Sequence, residues 1–241
     1  MGKATMSSRV VHTVYATDAS LAALRRQLLT IAQELHARGW IANHDGNVTA
    51  RLHGDRLLAT PTALSKRVLT EADLIAVDGD NKVIQGGRKP FSELSLHRAV
   101  YSVRPDVRAV VHTHAPHAVA LSILGHAVEP RMLAESVVSL GAEIPLIPYG
   151  FPGGADQTKR LGTLAAVVDA VTLGNHGVLA WGDDLEQAFL RAELVEHLAS
   201  IQLKVLAAGQ LRLVPEPDLE RLLEARTRAG LGPAARAKKA S

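Results

Sequence analysis

The sequence predicts a single α/β domain of three layers, αβα, in which helices cover both faces of a largely antiparallel central sheet. The chain has 241 residues, of which 47% are hydrophobic, and this is enough to bury one large core. Short apolar segments separated by turn residues, such as His53 to Asp55 and Asp78-Gly79, predict antiparallel hairpins. Segments with helical periodicity lie between these hairpins, without the regular alternation of strand and helix that is typical of a parallel sheet.

The first predicted element is an amphipathic helix that begins at a capping residue, Asp18 or Ser20, and ends before Gly39. Apolar residues three and four positions apart form its buried face: Leu21, Leu24, Leu28, Ile31 and Leu35. The segments N-V-T-A-R-L and R-L-L-A-T then predict one hairpin, and I-A-V-D followed by K-V-I predicts a second.

The next helix is predicted to begin at Ser92, to carry Glu93 in its first turn and to stop before Pro105. The remaining helices are predicted by their apolar periodicity, over residues 116–123, 156–170, 185–208 and 218–227. The remaining strands are predicted by short apolar segments, namely V-R-A-V-V-H-T and residues 144–149 and 178–181.

We expect the domain to span residues 18–228, between an N-terminal extension (residues 1–17) and a basic, flexible tail (residues 229–241). The formal net charge is +3, but several arginine and lysine residues follow the last acidic residue, Glu224, so the basicity belongs to the end of the chain. No aromatic or RNA-binding pattern accompanies this charge, which argues against a nucleic-acid partner.

The composition excludes several kinds of site and location. There is no cysteine, so neither a disulfide framework nor a thiolate metal site is available. No stretch approaches the roughly 20 consecutive apolar residues that a membrane span needs, and the polar first residues lack the apolar core of a signal peptide. We therefore expect a soluble, cytoplasmic protein without a membrane partner.

Three histidines indicate a metal site. His112 and His114, in V-V-H-T-H, lie two positions apart in a predicted strand, and side chains at that spacing point to the same face. His176, in L-G-N-H-G-V, precedes another apolar strand and stands beside a glycine that permits close backbone approach. Three imidazole ligands leave one coordination position open, which is typical of catalytic rather than structural zinc sites.

Five segments together carry a family resemblance: D-G-N-V-T-A-R, A-T-P-T-A-L-S, K-P-F-S-E-L-S-L-H, V-V-H-T-H-A-P-H and N-H-G-V. In their order and spacing they resemble the class II aldolase/adducin family over roughly residues 20–208. The resemblance implies a metal-dependent aldolase. Such an enzyme splits a ketose 1-phosphate, similar to L-fuculose 1-phosphate, into dihydroxyacetone phosphate and an aldehyde.

The resemblance also implies a metal site and a base. His112, His114 and His176 would hold a divalent metal, zinc in the first place, although manganese, iron and cobalt suit the same ligands. Glu93 matches the glutamate of the family's S-S-E motif, and would complete the metal site or act as the catalytic base. Breaking a carbon–carbon bond beside a carbonyl leaves negative charge on oxygen, which a metal stabilises as a Lewis acid.

For the substrate phosphate, the resemblance implies Asn47, Thr62 and Ser92 as binding residues. Two positions of the same motifs differ from the family pattern. Phe91 replaces the first serine of S-S-E and removes a hydroxyl, while Ala63 replaces a glycine and narrows the permitted backbone geometry. These changes weaken the case for a phosphate on the substrate.

The general acid differs as well. Where the fuculose-phosphate aldolase pattern has a tyrosine, the loop P-R-M-L-A-E-S has none, and Glu135 is our candidate for the substitute proton donor. Family enzymes are homotetramers with active sites between neighbouring subunits. The resemblance therefore implies a homotetramer in which some catalytic groups come from the next chain.

Other reactions of the same family stay open. A decarboxylase forms a similar carbanion by losing carbon dioxide, and Phe91 would suit a less polar substrate, such as a hydroxy-keto acid. Epimerase and dehydratase reactions are further alternatives. A non-catalytic module like the adducin branch of the family is a different class of protein, and because that branch lacks the metal ligands, His112, His114, His176 and Glu93 argue against it.

Overall fold

The structure is a computed structural model that describes residues 18–151 and 154–240, so the predicted N-terminal extension lies outside the described residues. Eight strands form one sheet: β1 (Asn47–Arg51), β2 (Leu57–Ala59), β3 (Ile75–Val77), β4 (Val83–Gln85), β5 (Ala109–Thr113), β6 (Leu146–Ile147), β7 (Ala170–Leu173) and β8 (Gly177–Gly182). The helices around it are α1 (Asp18–Ala37), α2 (Leu94–Val103), α3 (Pro116–Ile123), α4 (Ala134–Leu140), α5 (Ala155–Ala165), α6 (Leu185–Ala208), α7 (Glu216–Arg228) and α8 (Gly232–Ala240). Among the described residues, none of these helices combines the length and the apolar content that crossing a membrane would require.

The strand order across the sheet is β4-β3-β2-β1-β5-β8-β7-β6. Neighbouring strands are antiparallel except for β6 and β7, which run parallel with Leu146 beside Thr172. The sheet is therefore mixed, although most of its strand pairs are antiparallel. The parallel pair β6–β7 is the correction to the predicted, largely antiparallel sheet. The parallel pair arises because α5 connects the two strands, and a helical crossover returns the chain in the same direction.

Apolar side chains alternate between the two faces of the sheet, and helices cover both faces. In β5, Val111 belongs to a hydrophobic cluster with residues of α1, α3 and α6. Its neighbour Val110 belongs to the cluster on the opposite face, with residues of α2 and α5. His112 lies two residues after Val110, so it faces the side of the sheet that α2 covers.

The two predicted hairpins are confirmed, and α3 and α6 have the predicted bounds. The helix predicted over residues 156–170 is too long, because the chain leaves α5 at Ala165 and enters β7, a fully buried strand of sequence A-V-T-L. The strand predicted over residues 144–149 is reduced to β6, since Pro145 and Pro148 flank it and cannot donate hydrogen bonds. Helix α4 is not predicted from the sequence, because it is short and begins without a side-chain cap.

A buried aspartate connects the C-terminal helices to the rest of the domain. Asp169 is fully buried just before β7 and pairs with arginines from the end of α2 and from α6, α7 and α8: Arg104, Arg191, Arg226 and Arg236. The sequence predicts a flexible tail over residues 229–241, but part of this segment forms the helix α8. The attraction between Arg236 and the buried carboxylate gives the physical reason for its position.

Candidate metal centre

Three strand ends meet at one edge of the sheet and carry the predicted metal ligands. Because β1 and β8 both run antiparallel to β5, the starts of β1 and β8 lie beside the end of β5. The register pairs Asn47 with His112. His114 follows the last residue of β5, and His176 lies in the tight turn between β7 and β8.

The three imidazole rings face one another. The distance between ring centroids is 5.0 Å for His112 and His114, 4.8 Å for His112 and His176, and 4.9 Å for His114 and His176. One ligand nitrogen from each ring lies within 4.8 Å of the others. The structure thus brings the three predicted ligands together.

The surroundings of His112 and His114 favour the neutral form of both imidazoles. Burial lowers the pKa of His112, and burial together with the neighbouring His112 and His176 lowers the pKa of His114 to about 4. Nδ1 of His112 lies 2.9 Å from the carbonyl oxygen of Val178, which only accepts, so Nδ1 carries the proton and donates it. Nε2 of His112 is therefore unprotonated, as a metal ligand must be.

Glu93 comes to this cluster from the helix layer. It occupies the N-terminal cap position of α2, which begins at Leu94. The sequence places the helix start at Ser92 and Glu93 inside the first turn. The Glu93 side chain makes no capping hydrogen bond to its own helix, so its carboxylate is free to reach the histidines.

The carboxylate of Glu93 contacts two of the histidines. Its Oε1 is 2.8 Å from Nε2 of His176, and its Oε2 is 3.4 Å from Nε2 of His112. The Nδ2 group of Asn47 donates a hydrogen bond to Oε2 at 3.1 Å. Burial alone would raise the pKa of Glu93, but its hydrogen bonds with His176 and Asn47 lower it well below its usual range. Glu93 is consequently ionised at neutral pH.

The donor set fits a divalent cation. Two nitrogens that are about 2.1 Å from one ion lie about 3.0 to 3.4 Å apart, from octahedral to tetrahedral geometry. The Nε2 atoms of His112 and His114 are 3.1 Å apart, within that range. In addition, Nδ1 of His176 is buried without a hydrogen-bond partner among the described residues. Imidazole nitrogens and one carboxylate suit zinc, manganese, iron or cobalt.

A glycine makes the close approach of the histidines feasible. A Cβ atom on Gly177 would overlap the carbonyl oxygen of Thr113 and would lie 3.1 Å from ring atoms of His112 and His114. Any side chain at this position would therefore push β8 away from β5. This explains why a glycine follows His176 in the N-H-G motif.

A cavity of about 520 Å³ opens beside the cluster. Its lining contains the predicted substrate-binding residues Asn47, Thr62 and Ser92, and also Phe91 and Ala63. Phe91 is nearly buried and packs edge-on against His97, with 5.1 Å between ring centroids, so it contributes packing instead of a hydroxyl. Ala63 has φ +54°, the left-handed conformation that favours glycine.

Glu135 does not line this cavity. It is exposed on α4, in the first turn of that helix. Within one chain, the structure therefore does not bring the candidate proton donor together with Glu93.

Lys66 is a charged residue of this cavity that the sequence did not predict as part of the site. It lines the cavity, is 2% exposed, and donates a hydrogen bond to the carbonyl oxygen of His44 at 2.6 Å. The one feature of the sequence that could have indicated Lys66 is its position four residues after Thr62, in a segment that resembles a phosphate-binding motif. A lysine is ordinarily exposed, however, so one sequence gives no reason to place it inside.

Comparisons with known proteins agree with this geometry. Residues 26–203 match the family described as Class II Aldolase and Adducin N-terminal domain. The L-fuculose phosphate aldolase of Escherichia coli (strain K12) is 35% identical over 184 residues, which cover 76% of this chain and 84% of the relative. The 3-oxo-tetronate 4-phosphate decarboxylase of Cupriavidus necator is 36% identical over 182 residues, which cover 74% and 82%. Among solved structures, YgbL from Klebsiella pneumoniae has a TM-score of 0.77 and 30% identity, and the match covers 83% of this chain and 98% of that one.

Proposed function

Since the chain belongs to the class II aldolase/adducin family and is a carbon–carbon lyase of that family, we propose that it cleaves a ketose 1-phosphate similar to L-fuculose 1-phosphate. The products would be dihydroxyacetone phosphate and an aldehyde. The observation that carries the proposal is the 2.8 Å contact between Glu93 and His176, which sets an ionised carboxylate against the cluster of three imidazoles beside a cavity. The similarity to L-fuculose phosphate aldolase supports the substrate class.

Class II aldolases depend on a divalent metal, and the histidine cluster is able to bind one. His112, His114 and His176 would hold it, with Glu93 as a further ligand, and we propose zinc. Such an ion supplies Lewis-acid stabilisation of negative charge on the substrate oxygens.

Glu93 would move the proton. When the carbon–carbon bond breaks, its electron pair stays with the carbon beside the carbonyl, which then gains a proton, while the hydroxyl on the other carbon loses one. The partners that lower the pKa of Glu93 include His176 and Asn47. Release of the carboxylate from these partners would raise its pKa towards the ordinary value and make it a stronger base.

For the proton donor we propose Glu135, acting from a neighbouring subunit. Glu135 is exposed and does not line the cavity of its own chain, which is what a group offered to an adjacent copy requires. The homotetramer and the cytoplasmic location stay predictions from the sequence.

Phe91 and Ala63 favour a second candidate, a metal-dependent decarboxylase. Both residues alter the cavity wall where the aldolase pattern has a hydroxyl and a glycine. The relative from Cupriavidus necator is a decarboxylase. Loss of carbon dioxide leaves an electron pair on the carbon beside a carbonyl, so it makes the same demand on the histidines and on Glu93.

The test is release of dihydroxyacetone phosphate from a panel of ketose 1-phosphates, followed by a coupled dehydrogenase, with and without a chelator. Chelator-sensitive release is expected. Metal-loaded protein that releases no dihydroxyacetone phosphate would contradict the aldolase proposal. The same protein would then be assayed for carbon dioxide from 3-oxo acids, with and without a phosphate group.

A further inference from the structure

Lys66 is a buried cation that has no anionic partner among the described residues. Its side chain is 2% exposed, yet no ion pair of the described residues includes it. Its ammonium group has three N–H donors, and the carbonyl oxygen of His44 accepts one of them at 2.6 Å. Buried charges in proteins are ordinarily paired or bind an ion, so a cation with a single carbonyl partner needs an explanation.

The nearby acids do not neutralise Lys66. Burial lowers its pKa to about 8, while the charges of Asp45 and Glu93 oppose this effect from a distance. Glu93 is already engaged by His176 and Asn47. The ammonium therefore stays largely charged at neutral pH and has donors left for a ligand.

The position of Lys66 suggests the ligand. Lys66 lines the same cavity as Thr62 and Ser92, which carry hydroxyls, and as Phe91, which has none. A phosphate group has several oxygens that take hydrogen bonds from hydroxyls and from a cation together. Lysine suits this task because it acts as a point charge with rotatable donors.

We propose that Lys66 binds the phosphate group of the substrate and compensates for the hydroxyl that is missing at Phe91. This inference rests on the proposed function, because it assumes a phosphorylated substrate. Lys66 would then determine substrate affinity, while the histidines and Glu93 carry out the chemistry.

The test is calorimetric titration of metal-loaded protein with inorganic phosphate. Lys66→Gln removes the charge and keeps an uncharged N–H donor on a slightly shorter side chain, and Lys82→Gln is the matched control at an exposed lysine in the β3–β4 turn. We expect Lys66→Gln to weaken phosphate binding about tenfold or more, as for a lost charged hydrogen bond. Metal content should be unchanged in both variants, so any direct binding of phosphate to the metal contributes equally.

Phosphate affinity in Lys66→Gln equal to that of the wild type would overturn the proposal. Should that variant fold poorly, Lys66→Arg keeps the charge and should retain more affinity than the glutamine variant, and equal losses would mean a structural role. A parallel titration with acetate separates the two kinds of anion. Weakened acetate binding with intact phosphate binding would point to a carboxylate and contradict a phosphate site.

The same variants separate this inference from the proposed reaction. If ketose 1-phosphates are not cleaved but phosphate binding depends on Lys66, the reaction is wrong and the binding role stands. If cleavage occurs and Lys66→Gln leaves both KM and kcat unchanged, the reaction stands and the role of Lys66 is wrong.

Discussion

Oε1 of Glu93 lies 2.8 Å from Nε2 of His176, although Glu93 belongs to the helix layer and His176 to a turn of the sheet. The contact joins the N-terminus of α2 to the β7–β8 hairpin, and both residues line the cavity. Because one carboxylate contacts two candidate metal ligands, the proposed metal binding and the proposed proton transfer would share the same few atoms. Substitutions can nevertheless distinguish the two roles.

Replacing His114 by alanine should remove the bound metal and the lyase activity together. One of three converging nitrogens is lost, and a pair of imidazoles holds a divalent ion much less tightly than a triad does. Metal content is measured by mass spectrometry after dialysis, beside His53→Ala as an exposed histidine control. Full activity in metal-free His114→Ala protein would rule out the site.

Replacing Glu93 by glutamine should keep much of the metal and abolish most of the activity. The amide still fits between Asn47 and the histidines, but it cannot take up a proton, and a loss of about a hundredfold or more in kcat is expected. The control is Glu186→Gln, an exposed acid in the first turn of α6. Activity close to that of the wild type would show that another group moves the proton.

Replacing Glu135 by glutamine tests the proposed donor. Since Glu135 is exposed on α4, the substitution should leave the melting temperature unchanged while activity falls over the whole pH range. Activity is measured across pH together with the oligomeric state, because a group supplied by a neighbouring copy acts only in the assembly. Full activity at every pH would remove Glu135 from the mechanism.

Replacing Gly177 by alanine should destabilise the protein by about 2 kcal/mol or more, because the added Cβ would overlap the carbonyl oxygen of Thr113. Gly162→Ala is the matched control. Gly162 lies in α5 with no atom within 4 Å of an added Cβ, so its substitution should stabilise the helix by up to about 1 kcal/mol. Urea denaturation measures both. Equal stabilities would mean that β5 and β8 have room to separate.

Replacing Asp169 by asparagine should lower the free energy of unfolding by about 3 to 5 kcal/mol at neutral pH, since it leaves buried arginines without their anion. Asp106→Asn, which removes a half-exposed partner of Arg104, should cost only about 1 kcal/mol or less. Denaturation curves of the three proteins at pH 7 give these differences.

The pH dependence of stability checks the same carboxylate. Burial alone would raise the pKa of Asp169, but Arg191 and the other arginines lower it below the ordinary value of 3.8. A carboxyl with a lowered folded-state pKa adds stability that is complete above its unfolded-state pKa and is lost as the pH falls through the folded-state pKa. Wild-type stability should therefore decline below about pH 4, and Asp169→Asn should show a smaller decline. Parallel declines would contradict the assignment.

Local patterns in the sequence were enough for part of this architecture. His112 and His114 could be paired because alternation along a strand is a local rule, and the hairpin turns and α6 follow from turn chemistry and helical periodicity. The end of α5 could not be predicted, because β7 is a strand only through its pairing with β8. The burial of Lys66 likewise depends on which distant segments pack around it.

The β7–β8 hairpin has a consequence for the order of events during synthesis. β8 lies between β5 and β7 in the sheet, although it is the last strand in the chain. When the nascent chain has emerged from the ribosome only as far as β7, it already contains His112, His114 and Glu93. The third imidazole, that of His176, has not yet emerged. An ion that needs all three imidazoles would therefore be bound fully only after β8 has entered the middle of the sheet.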